Sequence, residues 1–279
     1  MARALIAGCG YVGSALAARL AGDGHEVWGL RRRAIDPPAG VRSITADMSR
    51  PASLAGLPDG LDFVFYVAGA DASTEQAYRA AYVDGLRNLL TALGPAGPAR
   101  RLVLASSTAV YEQAGGETVD EASPTAPTRF QGRVLLESEA VARELAPAAT
   151  AVRFGGIYGP TRTRMLDGLR AGTLRVSAAP QFTNRIHRDD CAGFLVHLVS
   201  LAEPAPLYVA VDDEPADRRR VLEWLAAEMG AAPPPVDESA AGPGSGKRAS
   251  NERLHSTGYR LIYPSFREGY RAVLAGVGP

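Results

Sequence analysis

The stretch GCGYVG at residues 8–13 constrains this chain more than any other. It fits G-x-G-x-x-G, follows a short apolar run (ARALIAG) and opens a helical pattern (YVGSALAARLAGDG). Strand, glycine loop and helix in that order form the context in which the pattern reports a dinucleotide. Gly8 permits the tight turn, Gly10 lets backbone approach a pyrophosphate, and Gly13 lets helix and strand pack closely. The N–H groups at the helix start, those of Tyr11 and Val12 among them, act with the helix dipole to favour an anion. The competing reading is a glycine turn chosen for packing alone. Cys9 lies inside the loop, where a thiolate is favoured; against that stands a small residue that simply fits.

The next strand, EVWGL, ends in Arg31, Arg32 and Arg33. An NAD site often carries Asp or Glu there, accepting from the ribose 2′-hydroxyl. A carboxylate would repel a 2′-phosphate, whereas guanidinium grips one bidentately. This predicts NADP(H), with NAD(H) as the lesser alternative, and with Arg31 and Arg32 as the clamp. Arg33 reads equally as part of a solvated basic turn.

Further apolar runs, LDFVFYVAG, RLVLASS, ATAVRF and LYVAVDDEP, alternate with helical stretches such as EQAYRAAYVDGLRNLLTAL and DRRRVLEWLAAEMG. Alternation of this kind implies right-handed crossovers and a mostly parallel sheet. The predicted fold is α/β: a Rossmann doubly wound parallel sheet with a small C-terminal substrate-binding lobe. The 279 residues are expected to form one extended unit. Residues 1–155 are mainly the dinucleotide-binding core, and 156–279 mainly the substrate lobe, with some segments returning to the core. The Pro/Gly/Ser-rich stretch AAPPPVDESAAGPGSGKRASN reads as a loop.

Lys+Arg and Asp+Glu balance at 30 each, so bulk charge offers no reason to expect nucleic acid or an acidic membrane as partner. Cys9 and Cys191 form no CxxC or Cys/His cluster, so neither a disulfide framework nor a metal site is expected. The N-terminus does not read as a signal peptide, and no segment approaches the ~20 apolar residues of a membrane helix. A soluble cytoplasmic protein is the expectation.

These landmarks follow one another as in a known family. The chain resembles the extended short-chain dehydrogenase/reductases, the NAD-dependent epimerase/dehydratase family, through nearly its whole length. FVFYVAGA is similar to the family's cofactor-side strand and turn, which implicates Ala68 and Gly69. TADMS puts Asp47 where the family contacts adenine. LASSTAVYE resembles the Ser-Ser-x-x-Val-Tyr segment, with Ser107 at the catalytic serine and Tyr111 following. AVRFGGIYGP, containing Tyr158, resembles the turn beside the nicotinamide, and NRIHRDDC resembles I-H-x-x-D, with His187 and Asp190. The resemblance implies a nicotinamide cofactor and a small-molecule substrate, commonly a nucleotide-linked sugar. A homodimer is common in the family.

The family's Tyr-x-x-x-Lys, followed by Glu four residues later, meets TRFQGRVLLE here. Arg129 stands at the tyrosine position, Arg133 at the lysine position and Glu137 at the glutamate; Asp84 stands where Asn is usual. The pattern is similar to that of the atypical members, which keep the cofactor loop and lose the active tetrad. Arginine stays protonated, so Arg129 cannot be a base. It can hold a substrate anion or stabilise a developing alkoxide. Arg133 can donate to the nicotinamide ribose, or form a plain ion pair with Glu137 worth ~0.3–0.5 kcal/mol. Tyr111, Tyr158 and His187 remain as alternative proton carriers or substrate contacts, each with a core or structural reading beside it. Ser107 is the candidate for orienting a substrate oxygen. Arg162, Arg164 and Arg170 could meet a phosphate or carboxylate, or form a solvated helix face. Lys247, Arg248 and Asn251 form a polar knot near the C-terminus, Asn251 reading also as an N-cap or loop anchor.

Two functions follow. The first is an NADP-dependent oxidoreductase or epimerase-like enzyme with a remodelled proton relay, acting on a small polar or nucleotide-linked substrate. The second is a non-catalytic NADP(H)-binding regulator.

Overall fold

A computed structural model describes residues 1–34, 36–94, 101–240 and 244–276. Strands β1 (Arg3–Ala7), β2 (Glu26–Arg31), β3 (Val41–Thr45), β4 (Phe63–Tyr66) and β5 (Arg101–Ser107) form most of a seven-stranded sheet. With the strands Thr150–Phe154 and Leu207–Ala210 at the far edge, its order is Leu207–Ala210, Thr150–Phe154, β5, β4, β1, β2, β3. The pairs β1–β2, β1–β4, β2–β3 and β4–β5 are all parallel. Chain order reverses between β1 and β4, the topological switch point of a doubly wound sheet, where such folds bind ligands. The predicted Rossmann architecture is the one observed.

β1, β2, β4 and β5 are continuous apolar runs because helices cover them. β3, VRSIT, buries only Val41. Being the sheet edge, it carries too few apolar residues to announce itself, and no strand was expected there.

The chain forms two compact units. The first comprises Met1–Tyr111, Thr125–Arg153 and Cys191–Tyr208, around a core that includes Leu5, Leu30, Val64, Tyr66, Leu86 and Leu102. The second comprises Glu112–Pro124, Phe154–Asp190 and Val209–Pro279, with Tyr158, Leu166, Val221, Leu225, Phe266 and Tyr270 at its centre. The helix predicted in DRRRVLEWLAAEMG is present as Arg218–Glu228, capped by the Asp217 carboxylate, which accepts from the Arg219 N–H. Part of the stretch read as a loop, residues 241–243, lies outside the described residues.

The helical stretch EQAYRAAYVDGLRNLLTAL is interrupted. Glu75–Tyr78 is α-helical, Arg79–Asp84 is a π-helix, and α-helix resumes at Gly85–Leu93. The cause is two side chains entering the backbone ladder. The Tyr66 hydroxyl donates to the Ala81 carbonyl, and Ser138 Oγ donates to the Tyr82 carbonyl at 2.7 Å. Carbonyls taken this way widen the turn. A Cβ on Gly85 would stand 2.7 Å from the Tyr66 oxygen, so glycine is needed beside the widened turn.

Candidate cofactor and reaction site

The glycine loop links β1 to the helix Tyr11–Gly22. The Gly8 and Cys9 N–H groups both donate to the Leu30 carbonyl of β2, at 3.1 and 2.9 Å. Gly8 has φ +97°, and a Cβ there would lie 2.5 Å from the Ala68 Cα. The turn after β4 is thus pressed against the loop, with Ala68 at Gly8 and Gly69 next in the chain. A Cβ on Gly13 would stand 2.4 Å from the Gly8 oxygen. Gly10 differs: its added Cβ would meet no protein atom nearer than 3.9 Å. Packing explains Gly8 and Gly13, whereas the space beside Gly10 is open. Gly10 is also the helix N-cap and has no side chain to occupy the first-turn donors, where Tyr11 and Val12 sit half-buried. This is a cradle that fits a pyrophosphate.

Cys9 is buried, with its Sγ 3.9 Å from Ser14 Oγ. Burial pushes its thiol up, against the hydrogen bond from Ser14 and the charge of Arg31. The thiolate considered from sequence is therefore disfavoured. The sulfur packs where Gly29 leaves room, 2.7 Å from the position of an added Cβ.

β2 delivers its arginines to the same end of the sheet. Arg31 is half-buried, while Arg32 and Arg33 are exposed. Arg32 forms a bidentate ion pair with Asp71, which lies two residues past Gly69. Asp71, missed by sequence reasoning, carries no motif of its own. Asp47 follows β3, and its carboxylate accepts from the Ser49 N–H at 3.0 Å and Ser49 Oγ at 2.7 Å. Those bonds hold its carboxyl below the usual range, with Arg32 and Arg50 helping.

At the end of β5, Ser107 is half-buried, and its Oγ accepts from the Ala109 N–H at 3.2 Å. The helix Phe130–Leu145 begins beside it. A Cβ on Gly132 would lie 2.6 Å from the Ala109 oxygen and 2.4 Å from the Pro127 Cβ. Arg129 is the N-cap of this helix and is exposed; Arg133, one turn on, is exposed too. The structure thus brings Ser107, Arg129 and Arg133 into one region of the first unit. The ion pair considered between Arg133 and Glu137 does not form. Glu137 is held bidentately by Arg79, at 2.7 Å for both bonds, and Arg133 Nη1 donates to the Thr128 carbonyl.

Tyr111 is a core residue, 2% exposed, whose hydroxyl accepts from Arg153 Nη1 at 2.8 Å. The same guanidinium reaches Glu139 through Nε at 2.9 Å and Nη2 at 2.8 Å, and Ser106 Oγ donates to Glu139 at 2.7 Å. This buried network, unforeseen from sequence, fixes the backbone on both sides of Ser107. It holds the Tyr111 ring and hydroxyl within the core.

In the second unit, Tyr158 stacks on Tyr270, ring centres 4.4 Å apart, and meets His187 edge-on. Burial, with Asp212 and other anions nearby, raises its hydroxyl far above the usual range. His187 is fully buried; its Nδ1 accepts from the Asp189 N–H at 3.2 Å. Both side chains are buried within the second unit. Arg162 is exposed and donates to the Ile157 carbonyl at 2.8 Å. Asp190 accepts from the Ile262 and Tyr263 N–H groups, at 2.7 and 3.0 Å, anchoring the C-terminal segment. Asn251 occupies an N-cap position, but its side chain donates to the Val211 carbonyl and Asp213, as a loop anchor. Lys247 is the chain's one lysine and residue 243 is proline, so the sequence contains no Tyr-x-x-x-Lys. Burial pulls the Lys247 ammonium below its usual range, with Glu112 opposing.

A dinucleotide cradle at the switch point of a doubly wound sheet defines a nucleotide-binding α/β protein. The NAD dependent epimerase/dehydratase family matches residues 4–190, and the chain belongs to it. A solved structure from Methylobacillus flagellatus, described as an NAD-dependent epimerase/dehydratase, is 39% identical, with TM-score 0.84 over 99% of this chain and 98% of that one. A dTDP-6-deoxy-L-talose 4-dehydrogenase (NAD(P)(+)) of Kitasatospora kifunensis is 29% identical over 91% of this chain and 87% of its own length. A human epimerase family protein solved with NADPH shares the fold at 22% identity, with TM-score 0.80 over 99% of this chain and all of that one (100%). Among the described residues, no helix is long and apolar enough to cross a membrane, and no cluster of three or more His, Cys, Asp or Glu could hold a metal.

Proposed function

We propose that the chain is an NADP(H)-dependent oxidoreductase or epimerase-like enzyme acting on a small polar or nucleotide-linked substrate, without a Tyr-x-x-x-Lys relay. The observation that carries this reading is the open space at Gly10 beside a strand that ends in arginines rather than a carboxylate. A pyrophosphate fits the first and a 2′-phosphate the second. The relative that acts on a dTDP-linked sugar supports a nucleotide-linked substrate. Tyr158 and His187 serve packing in this reading.

When bound, the nicotinamide supplies or accepts hydride. Ser107 orients the substrate oxygen. Arg129 stabilises negative charge on that oxygen through its guanidinium donors. Arg133 stands ready to donate to a ribose hydroxyl.

The second reading, a non-catalytic NADP(H)-binding regulator, is favoured by one observation. Three residues that could replace the tyrosine, Tyr111, Tyr158 and His187, are all buried. One experiment separates the two. Cofactor-stripped protein is titrated with NADPH by fluorescence, then loaded and mixed with dTDP- and UDP-linked keto-sugars in single turnover. NADPH oxidation that falls at least tenfold in Ser107→Ala supports the enzyme. Tight NADPH binding without oxidation across the panel supports the regulator. No binding of either NADPH or NADH defeats both.

A further inference from the structure

We propose that Asp71 sets the cofactor preference of this site, by holding Arg32 across the open end of the cradle and competing with the 2′-phosphate of NADPH for it. The inference rests on the reading of β2 as the adenosine-ribose side of a dinucleotide site.

Arg32 follows the last residue of β2, and Asp71 lies in the turn that follows β4. β1 lies between those strands and carries the glycine loop. The pair therefore spans the strand whose loop is the cradle, joining the turns on its two sides. Both carboxylate oxygens are engaged, Oδ2 by Nη1 and Oδ1 by Nη2, so Arg32 presents its two-pronged edge to Asp71. That edge is the one a phosphate would take bidentately. A phosphate dianion and the Asp71 carboxylate cannot both hold it without standing beside each other.

The surrounding charges sharpen the competition. Arg32 acts on both Asp47 and Asp71, with Arg50 beside Asp47 and Arg33 near Asp71. Asp47 is occupied by Ser49 and acts on Arg32 only through space. Arg33 acts on Asp71 through space as well. Asp71 is thus the carboxylate in direct contact with one of the two arginines of the expected 2′-phosphate clamp. NADH carries a 2′-hydroxyl, brings no extra charge to this corner and leaves the pair intact. Asp71 accordingly narrows the gap between the two cofactors that three successive arginines would otherwise create.

Both side chains are more than half exposed, at 54% and 64%, so exchanging Asp71 leaves the core untouched. The test is a double-mutant cycle on the full chain: wild type, Asp71→Asn, Arg32→Ala and the double variant. Each is titrated with NADPH and NADH by fluorescence, and with 2′,5′-ADP and 5′-AMP by calorimetry, at low and high salt. Asp71→Asn is expected to tighten NADPH and 2′,5′-ADP about 3–10-fold while changing NADH and 5′-AMP less than about twofold. The gain should shrink at high salt and vanish when Arg32 is already Ala. Unchanged or weaker NADPH binding in Asp71→Asn overturns the inference; weaker binding would mean that Asp71 preorganises Arg32 for the phosphate. Wild-type values keep the underlying reading separate. NADPH preference in the wild type with no response to Asp71→Asn refutes only the role of Asp71. Absence of preference in the wild type, with preference appearing in Asp71→Asn, supports that role and refutes the NADP(H) assignment.

Discussion

Replacing Arg153 by Met tests whether the buried network beside Ser107 holds the first unit together. Glu139 is 1% and Arg153 5% exposed. The substitution removes three hydrogen bonds, two to Glu139 and one to Tyr111, and leaves a carboxylate in the core. Glu139 would then keep Ser106 and, at 4.0 Å, the largely exposed Arg143. Breaking a buried pair from one side costs about 3–5 kcal/mol, because the surviving charge stays desolvated. With a urea dependence of about 2–3 kcal/mol per molar, the unfolding midpoint should fall by about 1–2 M. The chain's two tryptophans lie in different units, Trp28 in the first and Trp224 in the second, so fluorescence in a Trp224→Phe background reads the first unit alone. Adding Glu139→Gln to Arg153→Met removes the orphaned charge and should recover more than half of the loss. A midpoint shift below about 0.5 M for the single variant, or no recovery in the pair, would refute this account.

The glycine loop makes a paired prediction. Gly13→Ala forces a clash with the Gly8 carbonyl and should lower thermal stability, whereas Gly10→Ala should leave stability unchanged and weaken NADPH binding at least tenfold in a titration. Gly29→Ala would collide with the Cys9 sulfur, and Cys9→Ala in the same chain should restore most of the stability lost, by thermal denaturation. Burial pushes the Asp212 carboxyl up to about 8. Its value in the unfolded chain is about 3.9. Between those values the folded state holds the extra proton, so stability falls as pH rises across that window, by up to about 1.4 kcal/mol per unit. Urea unfolding of the second unit, read by Trp224 in a Trp28→Phe background, should show that slope from pH 5 to 8. Asp212→Asn should flatten it, and an unchanged slope would show that another group titrates.

What could be read from the sequence is what depends on neighbours along the chain. The glycine loop needs a strand before it and a helix after it, and both are written in adjacent residues. β1, β2, β4 and β5 announce themselves because burial on both faces demands continuous apolar runs. The π-helix at Arg79–Asp84 gives no such notice, since its causes are two hydroxyls from elsewhere, Tyr66 on β4, 15 residues from Ala81, and Ser138, 56 residues from Tyr82. Helical spacing pairs Glu137 with Arg133, four residues earlier, whereas its partner, Arg79, is 58 residues away. The Arg32–Asp71 and Glu139–Arg153 pairs are likewise invisible to local spacing. An ion pair across the fold leaves no mark in local spacing.

The same distinction bears on what this chain can do. The parts that would bind a dinucleotide are chiefly backbone: helix N–H groups, a carbonyl at Leu30 receiving Gly8 and Cys9, two glycines that let the loop pack closely, and the open space beside Gly10. Side chains elsewhere can change without disturbing them. The parts that would move a proton are side-chain atoms, and each must hold its own pKa. Arginine at 129 and 133 preserves charge and hydrogen-bond donors while surrendering the ability to titrate. Ser107, meanwhile, keeps its place through the Glu139–Arg153 network, which holds both flanking segments independently of residues 129 and 133. Cofactor binding and substrate orientation can therefore persist in this fold when its tyrosine and lysine are gone. Any reaction that persists must take its proton from a group that exchanges with water, and its rate should then follow the pH dependence of that group, not of a tyrosine.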